Sequence, residues 1–397
     1  MVEPDTIVVL MLAGGASFFM AWSIGAGSSG STPFAPAVGA NAISIMRAGF
    51  VVGLLGLAGA VFQGATVADA VGTDLVDGVV LTPMAATILL FLAAGLISIG
   101  IFTGYPIATA FTVTGAVIGV GLGLGGNPVW SAYTEIATLW VLTPFVGGGL
   151  AYTTARVLRS ETVPERYSIP LLGGIVGLLL ANIRFTVLGS GSGGASISTV
   201  MGRGFRFSPL LSKTLISLVA AILIVIVLAR NMDSDPESGQ RHFLLALGGL
   251  VAFSAGGSQV GLAVGPLFAA VKGSALSVSV PLLALLVFGG LGLLIGSWTG
   301  APRMIKALSQ DYSSLGPRRS IAALIPSFAI AQTAILFGIP VSFNEIIISS
   351  IIGSGYVTGS SGVSRRKVIN TVLAWVLSLA LALVVGYGAY TAIAAIL

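Results

Sequence analysis

Six side chains that carry hydroxyl or amide groups, Ser28, Ser31, Thr109, Ser258, Ser342 and Asn344, sit inside otherwise apolar stretches. Each lies in a segment where a helix has difficulty continuing. Gly25 to Pro36 reads GAGSSGSTPFAP, Gly104 to Thr112 reads GYPIATAFT, Gly256 to Pro266 reads GGSQVGLAVGP, and Gly338 to Glu345 reads GIPVSFNE. Proline removes a backbone donor and clashes with the preceding turn, and glycine weakens a helix. A helix that starts at such a break offers N–H groups with no intrahelical acceptor and a partial positive charge, so its natural guest is an anion. None of the four segments contains Lys, Arg or His. The anion would be held by neutral donors, which suits a guest that must also leave.

A plainer reading stands beside this one. Ser and Thr in membrane helices often bond back to backbone carbonyls, and small residues let helices approach closely. What tips the balance is that four such segments occur together. Three side chains are candidates for a coupling ion: Ser28, Gln259 and Glu345. Glu345 directly follows GIPVSFN and precedes an apolar run. An intramembrane carboxylate points to a proton relay or a cation ligand, and its alternative role is a helix-start acid stabilised by the dipole. Gln259 can ligate a cation or a substrate oxygen, although tying two helices together is the commoner use of such an amide. The single His242 follows Arg241 at a helix start and is read as interfacial. One histidine, no cysteine and few intramembrane carboxylates leave no constellation for catalysis, so an enzyme is not expected, nor a cofactor or a thiolate metal site.

The elements that position these residues follow from composition. Of 397 residues, 55% are apolar and 8% charged, with a mean hydropathy of +1.04. Soluble domains carry roughly 25% charged residues. The chain is therefore expected to be an all-α polytopic protein of the lipid bilayer. The formal charge of +5 lies mostly in short loops, where it reports topology, so no nucleic-acid partner is expected. The start, MVEPDTIVVL, is acidic where a signal peptide would be basic, so the first span is placed from about Thr6. Apolar segments run at 6–25, 43–63, 83–103, 107–125, 132–155, 168–189, 208–230, 241–263, 277–299, 320–337, 342–358 and 367–394. That predicts about 12 transmembrane segments, some broken or re-entrant.

Loop charge orients them. Segment 64–82 holds Asp69, Asp74 and Asp77 with no Lys or Arg, and 121–135 holds only Glu135, so both read as external. The loops 156–167, 300–319 and 359–367 carry Arg156, Arg159, Arg166, Arg303, Lys306, Arg318, Arg319, Arg365, Arg366 and Lys367 and read as cytoplasmic. Segment 230–241, of mixed charge, is compatible with the inside. Segment 190–207, with Arg203 and Arg206, stands outside the alternation. Both termini are then expected on the external side of a multi-pass protein of the cell membrane.

An internal repeat runs through the chain. Gly104-Tyr-Pro-Ile aligns with Gly338-Ile-Pro-Val, and Gly119 and Gly121 meet Gly353 and Gly355 at the same offset. Trp140-Val-Leu-Thr aligns with Trp375-Val-Leu-Ser, and Gly25-Ala-Gly-Ser with Gly256-Gly-Ser-Gln, in the same order. The expected organisation is a first repeat at 1–160, two linking spans within 161–230, and a second repeat at 231–397. The external loop 64–82 pairs with the basic loop 300–319, so the two repeats are inserted upside down. Inverted repeats with interrupted helices mark secondary transporters, whose site lies near the midplane at the repeat interface.

At these same segments the chain resembles the inorganic phosphate transporter (PiT) family, which includes a sulfate permease branch. The family's paired signature is a GANDVANA-type stretch followed by G-x-P-V-S-T-T/S, once per inverted half. MAWSIGAGSSGST stands at the first signature and FSAGGSQVGLAVGPL at the third segment, and the WVLTP run at Trp140 also matches. The Asn-Asp pair associated with sodium is replaced by Gly27-Ser28 and by Ser258-Gln259, and its later Asn by Ser31 and Leu262. The hydroxyl run survives as Thr109 and Ser342, with Asn344 polar beside it, while Ala108, Ala110 and Phe343 replace other hydroxyls. GAGSSGST looks more like the sulfate permease branch. The resemblance implies a permease for phosphate or sulfate, coupled to sodium or protons, and a homodimer. The expectation is a secondary transporter of a tetrahedral oxyanion, working by alternating access. An anion channel would share the donors without uphill accumulation, and a sensor would bind the anion and move none.

Overall fold

Prolines and capping side chains set the helix starts that hydropathy alone leaves open. Thr82 accepts from the Ala85 amide ahead of Pro83, and Asp235 accepts from the Glu237 and Ser238 amides ahead of Pro236. Each cap satisfies donors that the first turn leaves orphaned, and proline costs nothing there. Two helices end alike, at Gly104 (φ 74°) and Gly338 (φ 68°), whose left-handed backbone is accessible to glycine without a Cβ clash.

The computed structural model describes residues 4–73, 75–162, 164–189, 194–273, 280–359 and 363–396. Asp74 and the first residues of the apolar segment 277–299 lie outside them. The helices in chain order are α1 (Pro4–Gly27), α2 (Ala35–Gly39), α3 (Ile45–Gln63), α4 (Ala65–Thr73), α5 (Pro83–Thr103), α6 (Thr109–Gly123), α7 (Trp130–Leu158) and α8 (Glu165–Asn182). They continue with α9 (Ile197–Gly202), α10 (Pro209–Ser234), α11 (Pro236–Lys272), α12 (Leu282–Thr299), α13 (Ala301–Gln310), α14 (Pro317–Phe337), α15 (Phe343–Tyr356) and α16 (Arg365–Ala394). Every one of the twelve apolar segments falls on a helix. Among the described residues nine helices are long and apolar enough to cross a membrane; α6, α8 and α15 are not among the nine.

Burial shows which helices form the centre. In α11, 72% of the most apolar window is buried, against 17% in α10, whose Leu210, Ile222, Leu223 and Val227 point outward. That is the surface expected against lipid. The packing partners of the two sequence repeats are exchanged. α6 packs on α16 and α15 on α7; α3 packs on α11 and α12 on α1. The close contacts match too. A Cβ added at Gly119 would lie 2.2 Å from the Leu383 carbonyl oxygen, and one at Gly353 would lie 2.0 Å from that of Gly148. Loops assigned to one side of the membrane also meet one another. Val76–Asp77 pairs antiparallel with Asn127–Pro128, while Ser313 bridges to Val363 and Lys367 pairs with Asp311 at 3.0 Å.

Three expectations need correcting. The segment Gly256 to Pro266 is not interrupted, because α11 runs through it for 37 residues. Its glycines serve close packing: a Cβ at Gly256 would sit 1.9 Å from the Gly56 carbonyl oxygen, and one at Gly261 would meet the backbone of Val67 and Ala68. Segments 64–82 and 300–319 are not plain loops either. They contain α4 and α13, which bury Val67, Ala68 and Val71, and Met304, Ile305 and Leu308. Both stripes have the i, i+1, i+4 spacing of an amphipathic helix, legible in the sequence but shorter than a membrane span.

Candidate functional site

Two helices start in the interior. α5 has 21 residues, enough for about 31 Å at 1.5 Å per residue, a full bilayer crossing. It ends at Gly104, whose carbonyl accepts from Lys367 Nζ at 3.1 Å, among the basic loops. The chain then turns back extended, and α6 begins at Thr109. In the second repeat α14 ends at Gly338, where an added Cβ would meet Thr66 of α4, at the acidic end. The chain again turns back, and α15 begins at Phe343. The first return touches the start of α15: Asn344 Nδ2 donates to the Ile107 carbonyl at 2.6 Å.

Neither helix start is capped by a side chain; Ala108 and Ser342 stand at the N-cap positions in extended conformation. The Thr112 amide reaches Ala108 and the Ile346 amide reaches Ser342, so the amides of residues 109–111 and 343–345 lack an intrahelical acceptor. Each return is held by a tryptophan from the other repeat. Trp140 Nε1 donates to the Pro340 carbonyl at 3.1 Å, and Trp375 Nε1 to the Pro106 carbonyl at 2.8 Å. Phe111 stacks on Trp140 with ring centroids 3.9 Å apart. These tryptophans are positioning residues that sequence reasoning noted only as repeat markers. The signal for their role was their nearly equal placement relative to the two proline breaks.

All the nominated side chains are buried, none more than 1% exposed. Gln259 joins most of them. Its Oε1 accepts from Thr109 Oγ1 at 2.6 Å and Ser28 Oγ at 3.4 Å, while its Nε2 donates to the Val341 carbonyl at 2.7 Å and Ser258 Oγ at 3.4 Å. Asn344 Nδ2 donates to the Gly27 and Ile107 carbonyls at 3.0 and 2.6 Å, linking the end of α1, the first return and the start of α15. Ser31 Oγ bonds back to the Ser28 carbonyl at 3.1 Å, the local use expected of a serine beside a helix end. In this cluster three buried atoms find no partner among the described residues: Ser342 Oγ, Asn344 Oδ1 and Glu345 Oε2. They belong to three of the four residues 342–345 at one helix start. Buried polar atoms are otherwise nearly always paired, and an orphaned one carries the cost of its lost hydration.

The chemistry of this cluster is dual. The Ser342 hydroxyl and the free amides are donors suited to an oxyanion. Asn344 Oδ1 and Glu345 Oε2 are acceptors suited to a hard cation, which takes oxygen ligands. A carboxylate sealed in such a cluster needs a cation or a proton to balance it. No group of three or more His, Asp or Glu that could hold a metal ion occurs among the described residues.

Comparison with known proteins gives the family and the fold. Residues 24–386 match the profile of the phosphate transporter family. A protein of Thermococcus kodakarensis named as a phosphate permease is 26% identical, with 90% of this chain and 91% of the relative aligned. The chloroplastic inorganic phosphate transporter 2-1 of Arabidopsis thaliana is 24% identical over 91% of this chain and 68% of its own length. A solved structure of a sodium-dependent phosphate transporter superposes with a TM-score of 0.80 over 98% of this chain and 100% of that one, at 22% identity, which establishes a shared fold.

Proposed function

The chain belongs to the phosphate transporter family, and from that premise we propose that it is a secondary transporter that carries inorganic phosphate by alternating access of two inverted halves. The observation that carries this reading is the pair of uncapped helix starts at Thr109 and Phe343, facing a sealed cluster with three orphaned atoms on Ser342, Asn344 and Glu345. The exchanged packing of the repeats and the two tryptophan braces support the inverted arrangement. Phosphate is held by the Ser342 hydroxyl and the orphan amides of α6 and α15. Thr109 and Ser28 hydroxyls, now donated to Gln259, become available when the halves move apart. Ser258 steadies Gln259, and Ser31 shapes the turn after α1. The full burial of these groups corresponds to a conformation closed to both sides.

Sodium is proposed as the coupling ion, with Asn344 Oδ1, Glu345 and the Gln259 Oε1 as its oxygen ligands. The relative of shared fold is named as sodium-dependent, and the free acceptors here suit that ion. Gln259 also supports a structural role, since all of its hydrogen-bonding groups are engaged. The relatives named above are phosphate proteins, so phosphate is favoured over sulfate as the substrate.

The test is uptake of labelled phosphate into proteoliposomes, with and without a sodium gradient or a proton gradient, and with sulfate as competitor. Phosphate should accumulate uphill only with an inward sodium gradient, and sulfate should compete weakly. Entry that only equilibrates would point to a channel. No entry of either anion under any gradient overturns the transporter reading.

A further inference from the structure

Away from the central cluster, the basic loops enclose a second recess. Arg159 at the end of α7, Glu165 at the start of α8, Gln240 near the start of α11, Arg318 and Arg319 in the first turn of α14, and Thr358 beyond α15 line a cavity of about 330 Å³. Three guanidinium groups meet there with a single carboxylate. Glu165 pairs with Arg318 and accepts from Gln240. Arg159 donates to the Val357 carbonyl at 3.2 Å. Arg319 Nη1 is buried and finds no partner among the described residues. The α14 start adds backbone amides without a side-chain cap, on Gly316.

One carboxylate cannot balance three guanidinium groups at this recess. Guanidinium forks match the tetrahedral oxygens of phosphate, and a helix start adds favourable potential for the same charge. The cavity lies at the small end of the range for ligand pockets, roughly 300 to 1,000 Å³, ample for a phosphate group and part of what it is attached to. We propose that this recess is a second anion site, separate from the midplane cluster, that takes a doubly charged phosphate group. Glu165 competes with that group for Arg318. Arg159 comes from the first repeat and Arg318 and Arg319 from the second, so an occupant clamps the two halves together at the basic face. The same chemistry has two sources, free phosphate and the headgroup of a phosphomonoester lipid.

Native mass spectrometry of the purified full chain separates them, with titration by inorganic phosphate in one arm and dioleoyl phosphatidic acid in the other. In the arm of the true source, R159Q/R319Q should weaken binding at least about tenfold. Glu165→Gln frees Arg318 and should tighten the same ligand several-fold, a gain that misfolding does not produce. Binding at the midplane cluster adds a component that these substitutions leave unchanged. A change confined to the phosphate arm assigns the free anion, and one confined to phosphatidic acid assigns a lipid headgroup. Unchanged binding of both ligands in every variant overturns the proposal. So does a loss with R159Q/R319Q without the gain in Glu165→Gln.

Discussion

Gln259 has no free hydrogen-bonding capacity: its oxygen accepts from Thr109 and Ser28, and its nitrogen donates to Val341 and Ser258. Gln259→Ala leaves the Thr109 hydroxyl and the Val341 carbonyl unpaired in a buried site. Each stranded group costs about 1–3 kcal/mol, so the variant should melt several degrees lower in detergent and transport slowly. A melting curve superposed on the wild-type curve would show that the network is dispensable. Glu345 differs, because one of its oxygens is unpartnered. Glu345→Gln keeps the shape and removes the charge. Sodium stimulation of phosphate uptake should disappear while exchange of internal for external phosphate persists. Retained sodium stimulation would reduce Glu345 to a helix-start acid. The sequence showed that both residues lie within apolar segments, but it could not show that Asn344 directs its amide hydrogens to Gly27 and Ile107. That pairing joins residues remote in sequence and follows from packing.

At the scale of elements, helix spacing in the repeats is set by backbone contact at small residues. Gly353 approaches the Gly148 carbonyl so closely that a methyl group would lie 2.0 Å from it, whereas Gly388 on α16 has nothing within 4 Å. Gly353→Ala should destabilise by about 1–3 kcal/mol through overpacking, and Gly388→Ala should stay within about 0.5 kcal/mol of wild type. Thermal unfolding of the two variants in the same detergent checks the contrast, and equal effects would mean that the α15–α7 contact yields. Much at this scale was legible beforehand. All twelve apolar segments became helices, and the Gly-Tyr-Pro and Gly-Ile-Pro breaks became starts of α6 and α15, because proline and left-handed glycine act locally. The glycines of Gly256 to Pro266 misled, since glycine serves a break and a tight helix contact equally well. Only the partner, α3 and α4 lying against α11, decides between them. The short helices α4 and α13 were missed because a search for membrane-length spans passes over one buried stripe.

For the whole molecule, the two returns are anchored at different loops, Gly104 beside Lys367 and Gly338 beside Thr66, as the proposed inverted arrangement expects. The chain has no cysteine, so single-cysteine variants report sidedness directly. Asp77→Cys and Asn127→Cys should react together with an impermeant maleimide in sealed vesicles of one orientation. Ser314→Cys should react only after the membrane is opened, or in vesicles of the reverse orientation. Equal labelling of Asp77→Cys and Ser314→Cys from one side would contradict the inverted arrangement. In the proposed mechanism phosphate sits at the helix start that Ser342 opens. The most direct measurement is the KM for phosphate of Ser342→Ala in proteoliposomes under a fixed sodium gradient. Loss of one hydrogen bond to a charged ligand costs about 1.5–3 kcal/mol. The predicted result is therefore a KM raised roughly ten- to a hundred-fold in a protein that still assembles normally. An unchanged KM would place the anion elsewhere and contradict the account.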